Sequence, residues 1–164
     1  MQNKENNYAF IDGQNLNLGI QAMGWKLDWS KFRVYLKDKY KVQTAFVFLG
    51  YMPEQQNLYR SLQMKGYVLV FKPVITGGDG VVKGNVDADL VLQAMIEYNN
   101  YDKAILVSSD GDFQCLVRYF NENDKLKIVM SSYIKTCSKL LKKAAKEKIM
   151  FMDNLRKKLE YIQK

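Results

Sequence analysis

The run Ala104-Ile-Leu-Val-Ser-Ser-Asp-Gly-Asp-Phe113 constrains the fold more than any other stretch, because an unbroken apolar segment ends at two aspartates separated by one glycine. Ile105, Leu106 and Val107 show no polar alternation, the pattern of a strand covered on both faces of a parallel sheet. In open α/β sheets the ligand crevice lies outside the carboxyl ends of the strands, where successive connections leave to opposite faces. Asp110 and Asp112 stand at such an end. A second apolar segment, residues 8–11, closes the same way on Asp12-Gly-Gln-Asn15. If the two strands are neighbours, Asp12 and Asp110 confront one another, and like charge raises the pKa of one unless a cation lies between them. An all-oxygen donor set suits Mg²⁺ or Mn²⁺, hard ions that retain waters and meet substrate phosphates.

The remaining chain reads as alternating helices and strands. Residues 16–23 form a short helix that Asn15 is placed to cap, and 30–39 a second with Phe32, Leu36 and Tyr40 facing inward. Residues 43–50 are a strand, Pro53 opens a helix that Gly66 stops, and 67–71 are a strand broken at Pro73. Residues 73–85 are the longest irregular connection. Their glycines lack P-loop spacing, which leaves Lys83 as a candidate phosphate contact. Residues 86–99 form a nearly all-apolar helix expected to pack tightly on the sheet. Asp87 lies on its Leu90, Val91 and Ala94 stripe and Asp89 diverges from it, although acid in a first turn is also favoured by the helix dipole alone. A helix over 113–121, with Asp112 as its natural cap, precedes a strand over 126–130. Ser131 and Ser132 follow that strand, and their hydroxyls, with Ser109, are candidate phosphate contacts. This order predicts a three-layer α/β/α sandwich around a mainly parallel sheet of five or six strands.

The 164 residues fit one domain, 1–164. No apolar stretch approaches the roughly 20 residues of a membrane span, and the polar start lacks a signal-peptide core. Cys115 and Cys137 are too few for a disulfide framework, so the expected setting is cytoplasmic. The net charge of +8 is uneven: residues 135–164 hold ten Lys or Arg against three acids, whereas residues 1–134 hold fifteen against fourteen. The basic segment is expected to be helical, either gripping a phosphate backbone beside the acidic cleft or forming the solvated side of amphipathic helices. Histidine is absent. That excludes histidine-dependent triads, HExxH zinc sites and zinc deaminases, and leaves hydrolytic chemistry to carboxylates.

Asp12-Gly-Gln-Asn15, Lys83-Gly-Asn-Val-Asp-Ala-Asp-Leu90 and Tyr101-Asp-Lys-Ala-Ile-Leu-Val-Ser-Ser-Asp-Gly-Asp-Phe113 together resemble the NYN domain, the LabA-like (DUF88) branch of the PIN-like nucleases, over residues 8–153. The resemblance implies a PIN-like fold with strand order 3-2-1-4-5 and metal-dependent ribonuclease activity. It carries the family acids onto Asp12, Asp87, Asp110 and Asp112, as catalytic residues and ligands of Mg²⁺ or Mn²⁺, with Asn15 as the accompanying polar residue. Ser109 stands where the usual pattern has glycine, and Lys83-Gly-Asn-Val-Asp is one residue longer than the usual Lys-Gly-Val-Asp. The implied substrate is RNA, single-stranded by expectation, with DNA and homodimer formation left open. Two rivals are a catalytically silent PIN-like module that binds RNA or a protein, and a haloacid-dehalogenase-type phosphatase. The latter is disfavoured by Gln14, where its second aspartate would stand.

Overall fold

A computed structural model describes residues 4–73, 75–76, 82–83 and 86–163, with only the backbone described for 75–76 and 82–83. Six parallel strands make the main sheet: β1 (Asn7–Asp12), β2 (Val42–Tyr51), β3 (Tyr67–Pro73), β6 (Ala104–Val107), β7 (Leu126–Ser131) and β8 (Ile149–Phe151). Their spatial order is β3-β2-β1-β6-β7-β8, or 3-2-1-4-5-6 when only these strands are counted. The two short strands β4 (Ile75–Thr76) and β5 (Val82–Lys83) pair antiparallel to one another. The stretch read as wholly irregular therefore contains a small ribbon, too short for residue periodicity to reveal.

Chain direction sets the crevice. On one face, α1 (Gly13–Ala22), α2 (Trp29–Tyr40) and α3 (Gln56–Met64) carry the chain outward from β1 to β3, burying Leu16, Ile20, Phe32, Leu36 and Leu62. On the other, α4 (Asp87–Ile96), α5 (Gln114–Glu122) and α6 (Lys139–Ala145) carry it through β6 and β7 to β8, burying Leu90, Ala94, Val117, Phe120 and Leu141. The direction reverses between β1 and β6, which are adjacent and fully paired from Tyr8–Ala104 to Ile11–Val107. Ala9, Ile105 and Val107 pack on the first core while Phe10, Ala104 and Leu106 pack on the second. Covering both faces is what makes every residue of β6 apolar and buried.

Several local expectations change. Asp12, not Asn15, caps α1 by accepting the Asn15 N–H, and Asp110, not Asp112, accepts the Asp112 N–H in the turn that opens α5. The α1 helix thus begins where β1 ends, with no intervening loop residue, whereas residues 108–110 separate β6 from the turn that opens α5. The α4 helix does not bury itself all round: Leu92 and Ile96 are 59% and 62% exposed, because only the Leu90–Ala94 stripe meets the sheet. The basic C-terminal segment is not a pair of amphipathic helices. It supplies α6, the edge strand β8 and the short α7 (Arg156–Leu159), which returns to the first face where Leu159 is buried. Phe151 is a strand residue, and parallel pairing of Ile149–Phe151 with Val129–Ser131 overrides the apparent helical spacing.

Candidate active site

Three chain segments deliver carboxylates to the mouth of the crevice. Asp12 is the last residue of β1, Asp110 follows β6 by three positions, and Asp87 begins α4 from the opposite layer. One oxygen from each lies within 4.8 Å of the others. Asp12 is only 5% exposed. It accepts a 3.3 Å hydrogen bond from the Asn15 N–H. Burial, reinforced by Asp110, pushes its pKa from 3.8 up to about 6 despite that bond. Burial also raises Asp87 to about 7, helped by the charges of Asp110 and Asp12 and by a side-chain hydrogen bond with Asp112. Asp112 is exposed and lies beside Asp87, outside the group of three. Asp89 turns away toward Lys72, 3.8 Å from its Nζ, as the divergence of residues two apart on a helix requires.

The segment carrying Asp110 is held from several sides through Ser109. The Ser109 N–H donates to Asn15 Oδ1 at 2.9 Å, and its carbonyl accepts from the Ser138 N–H at 3.1 Å. Its hydroxyl lies 2.7 Å from Ser131 Oγ and 3.3 Å from Ser132 Oγ. Asp110 itself accepts from the Asp112 N–H at 2.9 Å and donates its own N–H to Ser108 Oγ at 3.1 Å. Asn15 therefore fastens α1 to the turn after β6, a role that local helix signals do not reveal. Ser131 is fully buried and Ser132 only 3% exposed, and their hydroxyls brace the turn through Ser109. Lys83 lies in β5, but its side chain is outside the described residues, as is Gly84.

Gly111 explains the spacing of the paired acids. A Cβ there would fall 2.4 Å from Ser138 Oγ, so the glycine lets the N-terminus of α6 close over the turn. Sequence reasoning also missed a cavity of about 720 Å³ on the α1 face. Among the described residues it is bounded by α1, by the turns after β6 and β7, and by Asp153 and Arg156 after β8. Asn15 and Ser109 form its boundary toward the acids. No local motif announces it, because its walls come from four separate segments.

The donor set is all oxygen, and two of its three members resist ionisation in the absence of a neutralising partner, so the site suits a hard divalent cation. A parallel sheet with this order and acids at its reversal point defines the PIN-like nuclease class. Residues 8–153 match the NYN domain. The chain belongs to the NYN domain family, a member of the PIN-like nuclease superfamily. The Low amplitude and bright protein LabA of Synechococcus elongatus is 27% identical over 115 residues, which are 64% of this chain and 62% of LabA, so the match spans less than two thirds of that relative. A protein of unknown function from Vibrio parahaemolyticus, VPA0982, superposes with a TM-score of 0.80 at 26% identity, covering 98% of this chain and 100% of its own. T5 5′-exonuclease, described with bound divalent metal ions (zinc), shares the fold at a TM-score of 0.51 and 17% identity, covering 82% of this chain and 57% of the exonuclease. Among the described residues no helix is long and apolar enough to cross a membrane.

Proposed function

We propose that this chain is a divalent-metal-dependent endoribonuclease that hydrolyses RNA phosphodiester bonds at the aspartate cluster. The observation that carries the reading is the convergence of Asp12, Asp87 and Asp110 to within 4.8 Å at the reversal point of the sheet. These three residues would hold Mg²⁺ or Mn²⁺, with Asp112 at the solvent side next to Asp87. When bound, the ion lowers the pKa of an attacking water and neutralises charge developing on the phosphate. The protein's own contribution is positional. Asp12 is fixed by the helix it caps, and Asp110 by the turn that Asn15 and Ser138 hold through Ser109. The water oxygen bonds to phosphorus as the 3′ oxygen departs, leaving 5′-phosphate and 3′-hydroxyl ends. With no histidine in the chain, proton transfer falls to solvent and to these carboxylates.

The test is cleavage of end-labelled single-stranded RNA and of DNA of the same sequence, with Mn²⁺ or Mg²⁺ and with chelator. The expected outcome is internal cutting of RNA that chelator abolishes and that Asp110→Asn reduces at least a hundredfold. Cutting that survives chelator, or full activity in Asp110→Asn, overturns the reading. Binding without turnover in the wild type supports the silent-module alternative.

A further inference from the structure

The basic C-terminal segment concentrates charge on the second face of the molecule. Helix α6 carries Lys139, Lys142 and Lys143, with Lys146 at its end, while its Leu141 and Ala145 are buried in the second core. This charge works against the helix. Lys139 stands in the first turn, where the dipole disfavours a cation, and it is followed at three and four positions by Lys142 and Lys143, which it repels. No acid offsets them: among the described residues Lys139, Lys142, Lys143 and Lys146 make no ion pair, and neither does Arg118 of α5. A short helix that keeps this much uncompensated charge is complementary to an anion from outside.

A groove of about 380 Å³ runs between α5 and α6. Gln114, Arg118 and Asn121, spaced at helical intervals, line it from α5, and Leu140, Lys143 and Lys146 line it from α6. Both helices start at the carboxyl edge of the sheet. Gln114 is two residues after Asp112, and Ser138, the cap of α6, donates its N–H to the Ser109 carbonyl beside Asp110. The groove therefore begins at the turn that carries Asp110 and descends the second face. Its lower end is fastened by Asn121, whose Nδ2 donates to the Ala144 and Ala145 carbonyls at 3.2 Å. Among the described lining residues only Glu122 is acidic, and it stands at that lower end. Leu140 is 60% exposed, an apolar surface set among cations.

We infer, resting on the nuclease reading for the identity of the strand, that this groove is the track for the phosphate backbone of single-stranded RNA leading away from the cutting site. The nine residues of α5 span about 13 Å, room for about four stacked nucleotides. Arg118, Lys143 and Lys146 thus supply about one cation per phosphate. The planar fork of Arg118 can take two oxygens of one phosphate, and the lysines act as point charges. Leu140 meets ribose or base surface, which an acidic peptide does not offer. The carboxylates at the head of the groove repel phosphate, so in the absence of a neutralising ion the strand's affinity has to come from cations outside the cluster.

Binding is measured without turnover, in chelator, on the full chain with a short fluorescein-labelled single-stranded RNA of mixed sequence, by anisotropy over a series of salt concentrations. Each cation engaged by the strand contributes about 0.7 to the slope of log K against log salt. Arg118→Gln, Lys143→Gln and Lys146→Gln combined are expected to reduce that slope by about 2 and the affinity by about tenfold or more at physiological salt. The charge-matched control Lys37→Gln, Lys39→Gln and Lys41→Gln, at exposed positions at the end of α2 on the other face, is expected to leave the slope unchanged. With Mn²⁺, the groove variant should raise KM while kcat stays near that of wild type, because none of the three side chains belongs to the aspartate cluster. Wild type itself covers the case in which the groove variant does not fold: RNA should shift the backbone amide NMR signals of Gln114, Arg118, Leu140 and Lys143. No binding by wild type even at low salt, an unchanged slope in the groove variant, an equal loss in the control, or amide shifts confined to the α1 face overturns the track, and persistent cutting then leaves the nuclease reading intact. Displacement of the RNA by an equal charge of polyglutamate assigns the groove to an acidic protein and likewise overturns it. Groove-dependent RNA binding with no cutting in Mn²⁺ or Mg²⁺ supports the track and removes the nuclease.

Discussion

Replacing Asp12 by Asn should stabilise the metal-free protein while abolishing its activity. Asp12 is almost fully buried and titrates at about 6 in place of 3.8, so holding it ionised at pH 8 costs about 3 kcal/mol of folding free energy. The amide is isosteric. Its oxygen still accepts the Asn15 N–H, though without charge assistance, a loss of about 1 kcal/mol, and its amino group can donate to the Asp87 or Asp110 carboxylates nearby. The net gain is about 2 kcal/mol, or a rise in Tm of roughly 4–8 °C for a chain of this size.

The pH dependence follows from the sign of the shift. Because the folded pKa lies above the unfolded one, the folded state binds more protons between pH 3.8 and about 6. Stability from this group therefore falls as pH rises through that window and is lowest above it. Between pH 5 and pH 8 the Asp12 contribution declines by about 1.4 kcal/mol, and Asp87, raised to about 7, declines in the same direction. Thermal melts of wild type and Asp12→Asn in chelator, at pH 5 and pH 8, measure the difference directly. The variant should gain on wild type as pH rises, and Mn²⁺ should restore wild type more than the variant. An Asp12→Asn protein less stable than wild type at pH 8 in chelator would refute the reasoning that this carboxylate is held against its own charge.

Two further outcomes follow from the packing. Gly111→Ala forces a Cβ to within 2.4 Å of Ser138 Oγ and 3.0 Å of its Cβ, so denaturant melts should show a loss of about 1–3 kcal/mol with cleavage reduced in step, and Ser138→Gly should recover part of both. Asp89→Asn removes only an exposed 3.8 Å pair with Lys72 and should leave cleavage within twofold of wild type, whereas Asp87→Asn, two residues away but inside the cluster, should remove at least a hundredfold. Equal effects of the two would undo the assignment of faces on α4.

The positions of the acids were legible because each sits at a break in pattern. Residues 8–11 and 104–107 are apolar runs that close on aspartates, and the strand order that makes them neighbours was implied by the resemblance to the NYN domain. Asp87 could be separated from Asp89 by helical geometry alone. What misled was the assignment of local roles. Asn15 and Asp112 have the residue types and positions of caps, yet Asp12 and Asp110 do the capping, and Asn15 spends its carbonyl 94 residues away on Ser109. Ser131 and Ser132 read as strand-end hydroxyls, and only the fold brings them within hydrogen-bond distance of Ser109 Oγ.

The sequence by itself determined which segments are buried strands and which acids end them, since apolar periodicity and its interruption are properties of neighbouring residues. Only the tertiary structure decided what those acids and hydroxyls touch, that 149–151 completes the sheet as its edge strand, and that a cavity with Asp153 and Arg156 in its wall adjoins the cluster. The physical reason is range. Hydrogen bonds, burial and the charge penalty on Asp12 arise between residues far apart in the chain, and their strengths exist only once the fold has brought those residues together.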